Sequence, residues 1–126
     1  MTLKLTQQYK RKRIKKLLSE LALYRSSMDY YTRLSNISDL PLRKLKIVQT
    51  HLLSMSATVQ AVEEALALLS PLEQEIIRLH YIEKHPFFDV EELVHLERSS
   101  VYRYHTMAID KIAAVLYGEE TESALN

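Results

Sequence analysis

The chain has 126 residues, 47% of them hydrophobic and 26% charged, with one glycine, three prolines and no cysteine. That length suits one compact domain or two small ones. The missing cysteines exclude disulfides and thiolate metal sites, and a lone glycine excludes Gly-rich phosphate loops. A sheet protein needs more turn residues than this, whereas helices can be chained with few, so the expected fold class is all-α.

Net charge is only +1, but it is unevenly spread. From Met1 to Asn36 nine Lys/Arg face Glu20 and Asp29, a balance of +7; from Ile37 to Ser70 three bases match three acids; from Pro71 to Asn126 five bases face eleven acids, a balance of −6. A basic start of this kind suits a polyanionic partner. Met1 to Lys16 is too basic and too poor in apolar residues for a signal peptide. The longest uncharged stretch, Ile47 to Val62, is broken by Gln49, Thr50, His51, Ser54, Ser56, Thr58 and Gln60 and is no membrane span. A cytoplasmic protein is expected.

Residues 1–69 read as an antiparallel helical hairpin. Ile14, Leu17, Leu21, Tyr24, Met28 and Tyr31 alternate by three and four residues. After a short loop around Ser35–Pro41, so do Leu45, Val48, Leu52, Met55, Val59, Val62, Leu66 and Leu69. Such a seam is that of a coiled coil, and a loop this short turns the second helix back against the first. Off-seam leucines, Leu18, Leu34, Leu53 and Leu68, also need cover. A second copy of the chain would supply it as a four-helix arrangement, so a homodimer through the hairpin is expected; C-terminal helices folding back are the alternative. The Lys10-Arg11-Lys12-Arg13 run, followed by Lys15 and Lys16, supplies candidate phosphate contacts, against the plainer reading of a solvated or acid-paired helix face.

Residues 70–118 read as three helices. Ser70-Pro71-Leu72-Glu73 is a capping box with proline at the first helical position. The helix it starts runs to about Glu83, before Pro86. A short helix follows, roughly Asp89 to Leu96, then a longer one from about Ser99 to Tyr117, closed by Gly118. Residues 119–126 are an acidic tail. A short helix, a tight turn and a longer helix describe a helix-turn-helix. Val90, Val94, Leu96, Val101, Tyr104, Ala108 and Ile112 are its expected core. Arg98, Ser99, Ser100, Tyr102, Arg103, His105 and Thr106 are its expected outward face, and such residue types reach bases and phosphates.

Leu69–Tyr81 resembles the opening helix of sigma-factor region 4. Val94–His105 resembles its turn and recognition helix, and Ala108–Ile112 is similar to its close. Late-gene activators of phages, of the RinA and ArpU kind, combine such a module with a helical N-terminal part. The resemblance implies a transcription regulator binding promoter or operator DNA, with Arg98, Ser99, Ser100, Tyr102, Arg103 and Thr106 facing double-stranded DNA and RNA polymerase as a further partner. Two positions depart from the pattern. Glu97 stands where a capping serine is usual, and Glu91 stands where a small alanine is usual, so it must turn outward or distort the packing. The competing class is a coiled-coil interaction protein that docks on RNA polymerase or another regulator with a degenerate helix-turn-helix.

No catalytic constellation is legible, since no nucleophile has a base at usable spacing. The histidines lack companions at ligand spacing and read as surface or boundary residues, so neither metal nor cofactor is expected. Tyr24 and Tyr31 read as seam residues with a wet hydroxyl.

Overall fold

The computed structural model describes residues 6–118, and the tail expected at 119–126 lies outside them. All regular structure among the described residues is helical. Helix α1 spans Gln7–Ser19, α2 Leu21–Ser35, α3 Leu42–Ala67, α4 Pro71–Ile77, α5 Phe87–Val94 and α6 Arg98–Tyr117; α4 continues into one π-helical turn, Arg78–Ile82. None of the described helices is long and apolar enough to cross a membrane.

The first segment, read as one helix, is two. Thr6 starts α1 by accepting the Tyr9 N–H at 3.1 Å. At Glu20 the backbone leaves the helical region (φ −98°, ψ 3°), with its N–H shared between the Lys16 and Leu17 carbonyls. The helix then resumes through the Tyr24 N–H to Glu20 carbonyl bond at 3.0 Å. The bend has a packing cause. Ile14, Leu18 and Leu21 are buried in a cluster with Ile109 and Ile112, whereas Tyr24 and Met28 are only partly buried against it. Accordingly α1 packs on α6 and the π turn, while α2 packs on α3. The two seams were expected to face each other; α2 packs along α3, whereas Ile14 and Leu17 of α1 meet Val59 and Val62 in a cluster they share with α6.

Every residue of the α3 seam is covered: Val48, Val59, Val62 and Leu69 are buried, and Leu45, Leu52, Met55 and Leu66 are half-buried. This cover is supplied within the chain. Leu18 is buried, whereas Leu53 and Leu68 remain 74% and 70% exposed. The main core joins Ile14, Leu18 and Leu21 to Val59, Val62 and Ala65 of α3, Ile77 and Tyr81, and Ile109 and Ile112 of α6. Residues 1–69 and 70–118 thus share one core across the boundary expected between them. A second cluster, Ile76, Leu79, Val90 and Val101, with Leu72, Phe87, Val94, Leu96 and Tyr104 against it, holds α4, α5 and α6 together.

The helix start at Ser70 has the expected form. The Ser70 hydroxyl accepts the Glu73 N–H and the Glu73 carboxylate accepts the Ser70 N–H at 2.9 Å. Glu73 is buried, and Lys111 of α6 donates to the same carboxylate oxygen at 2.8 Å. Burial works to raise its pKa, but the Lys111 and Ser70 hydrogen bonds outweigh it and hold the carboxyl below its usual value.

The π turn closes with the Glu83 N–H on the Arg78 carbonyl at 2.9 Å and leaves Leu79 and Tyr81 buried. Lys84 then takes a left-handed conformation (φ 62°), which costs a non-glycine residue about 1–2 kcal/mol. That conformation reverses the chain ahead of Pro86. The Lys84 ammonium donates to the Ser19 carbonyl at 2.8 Å, a cation on the negative end of α1.

Candidate nucleic-acid interface

Between α5 and α6 lie His95, Leu96 and Glu97. His95 is left-handed (φ 57°, ψ 43°), and the Leu96 N–H reaches back to the Glu91 carbonyl at 3.1 Å. A left-handed residue followed by this long backward bond is the turn that glycine usually makes at a helix end. Leu96 then packs against the Val90 and Val101 core, which fixes the direction in which α6 leaves. Glu97 precedes α6 in extended backbone, and its carboxylate makes no capping hydrogen bond. The departure from serine here leaves the first turn of α6 uncapped by a side chain.

α6 turns Val101, His105, Ala108, Ile109, Ile112 and Ala113 inward. Of the six residues expected to face DNA, Arg98, Ser99, Tyr102 and Arg103 are exposed, and Ser100 and Thr106 are half-buried. Arg98 is drawn to Glu91, with 3.4 Å between Nε and Oε2. Glu91 therefore relieves its crowded position by turning across the turn to a base rather than out to water. The Tyr102 ring leans on Phe87 at 4.7 Å, and the Arg103 guanidinium lies over the Tyr104 ring at 5.1 Å.

His105 corrects the outward-face reading. It is 4% exposed, its Nε2 lies 2.6 Å from the Tyr81 hydroxyl, and the two rings stack at 5.6 Å. Burial, with smaller contributions from the charges of Lys15 and His80, lowers its pKa to about 4. Burial also pushes the Tyr81 phenol up, so the pair is neutral at pH 7. Beside it, the His80 Nδ1–H donates to the His85 carbonyl at 2.8 Å and its ring stacks on Phe87 at 3.8 Å. The sequence held the signal: His105 stands four residues after Val101 and four before Ile109, on the inward stripe.

The basic run is part of a packed helix, and of the four candidate phosphate contacts Lys10 and Arg11 are engaged within the fold. Lys10 is buried, its ammonium 5.9 Å from the centre of the Tyr117 ring. Arg11 makes a two-pronged ion pair with Asp110, at 2.7 and 2.8 Å, and Gln7 donates to the same carboxylate at 2.8 Å. Led by the Arg11 hydrogen bond, these contacts hold the Asp110 carboxyl below its usual range. Lys12, Arg13, Lys15 and Lys16 are exposed, with Arg13 lying over the Tyr9 ring at 5.9 Å. Half of the four-residue run thus secures α1, and the other half faces solvent. Comparison with family models, with curated proteins and with solved structures gives no match.

Proposed function

We propose that the chain is a sequence-specific DNA-binding transcriptional regulator that lays the start of α6 in the major groove. The observation that carries this reading is the exposed strip of Ser99, Tyr102 and Arg103 at the start of a helix whose opposite face is packed by α1, α3, α4 and α5. A helix N-terminal half left uncovered after a tight turn is what groove entry requires, and arginine and hydroxyl side chains are what base edges and phosphates accept. The resemblance to sigma region 4 favours a promoter, and phage or prophage late genes are the proposed targets.

The test is selection of DNA fragments from the source genome by the purified protein, with Arg98→Glu/Arg103→Glu as control. A recovered motif that vanishes in the control is expected. On that site Arg103→Ala should cost about 1–3 kcal/mol in affinity with folding intact. Equal affinity of Arg103→Ala and wild type would remove Arg103 from the reading.

A homodimer is part of the proposal, since it would double the phosphate contacts and set half-site spacing. With the α2–α3 seam filled internally, the surface for it is the outer face of the hairpin, where Leu23, Leu53 and Leu68 are 65%, 74% and 70% exposed. Leu53→Asp is expected to convert a sedimenting dimer to a monomer of unchanged helicity. A variant that still sediments as a dimer would move the interface elsewhere.

The second reading, a protein-docking module that engages RNA polymerase, is favoured by α5. Phe88 and Leu93 are 62% and 52% exposed there beside acidic Glu92. No enrichment of DNA over the control, together with recovery of polymerase in a pull-down, would establish it.

A further inference from the structure

The exposed strip of α6 carries few charges for a nucleic-acid surface, because Arg98 is turned to Glu91 and Arg103 is the remaining base of its first two turns. Affinity for a duplex comes largely from cations that neutralise phosphates, so other elements must supply them.

Helix α1 is placed to do so. Buried Ile14 and Leu18 seat it on α6, Arg11 and Gln7 clamp it to Asp110, and Lys84 holds the carbonyl of Ser19 at its far end. Asp110 lies seven residues after Arg103, two turns along the same face of α6, so the clamp sets the flank of α1 at the edge of the exposed strip. On that flank Lys15 follows Arg11 by one turn, and Lys12, three residues before Lys15, stands further round on the outer face of α1; both lysines are exposed. Packed helices lie about 8–10 Å apart, and the major groove is about 12 Å wide. A helix beside one that occupies the groove therefore overlies a phosphate rim.

We propose that Lys12 and Lys15 of α1 form a second DNA-contacting element, binding backbone phosphates along the edge of the groove that receives α6. Arg11 is a positioning residue for this element, since its guanidinium is spent on Asp110. The inference rests on the DNA-binding reading, and the experiment separates the two.

Fluorescence anisotropy of a labelled random-sequence duplex of about 30 base pairs is measured across a salt series for wild type, Lys12→Ala/Lys15→Ala, Lys12→Arg/Lys15→Arg, Arg103→Ala and, on the distant N-terminal end of α3, Lys44→Ala/Lys46→Ala. For the first double variant the slope of log affinity against log salt should become shallower by about 2 per protein bound. The arginine variant and the α3 variant should keep the wild-type slope. A duplex that binds wild type and weakens with Arg103→Ala, yet keeps its slope without Lys12 and Lys15, overturns this inference alone. A wild type that binds no duplex at any salt overturns both it and the DNA-binding reading. All four lysines are exposed, and unchanged melting curves verify that each variant is folded.

Discussion

Ile109→Ala is expected to lower the free energy of unfolding by about 2–5 kcal/mol, the usual cost of emptying a fully buried aliphatic site. Ile109 is 0% exposed and sits in the cluster that contains Ile14 and Leu18 of α1, Val62 of α3 and Ile77 of α4. Ile14→Ala, from the opposite end of the chain, should cost a similar amount. In urea both variants and wild type should show one transition, at the same midpoint by helical circular dichroism and by tyrosine fluorescence. The reason is the shared core: α1 cannot leave α6 without exposing Ile109, nor can α6 unfold while α1 keeps Ile14 covered. Two transitions, with Ile14→Ala moving one and Ile109→Ala the other, would restore two independent units at the boundary near Ser70.

Acid should weaken the fold before the Glu73 and Asp110 carboxylates are protonated. His105 has a folded pKa of about 4 against an ordinary value of 6.5, so the unfolded chain takes up this proton at a higher pH than the folded one. Its contribution is fully present above pH 6.5 and is lost as pH falls toward 4, by on the order of 2–3 kcal/mol. The charges of Lys15 and His80 oppose protonation in the same sense as burial. Asp110 and Glu73 have lowered values and act in the ordinary carboxylate manner, their contributions being lost only at lower pH. A urea midpoint that declines between pH 6.5 and 4.5 is therefore the expected record. Tyr81→Phe/His105→Phe removes the polar pair together, leaves neither partner orphaned and should flatten that decline. A decline that survives in the double variant would place its cause outside the Tyr81–His105 pair.

The legible features are local ones. Alternating spacing marked the faces of α2 and α3 that are covered, because helical geometry alone decides which residues share a stripe. Ser70 to Glu73 announced their reciprocal cap because the two groups are three residues apart. The short helix, tight turn and longer helix were likewise placed from length and spacing, within a residue or two at each end. His105 was misread although its spacing put it on the inward stripe. The imidazole was treated as polar, whereas a neutral ring with a phenol partner packs as an aromatic.

What the chain determined by itself is the all-α class and the buried stripe of each helix. A periodic pattern states which face is apolar, but says nothing about which partner covers it. Only the tertiary structure decided that α1 leaves the hairpin at Glu20 to pack on α6, where Ile14 and Leu18 find a cluster that α3 alone does not provide. It also decided that Lys10 and Arg11 secure that contact while Lys12 and Lys15 stay in solvent. The Arg11–Asp110 pair joins residues far apart in sequence, and no spacing rule reaches across that distance. The basic run is plain in the sequence, but the division of its charges between fold and surface depends on the helix beside which they lie.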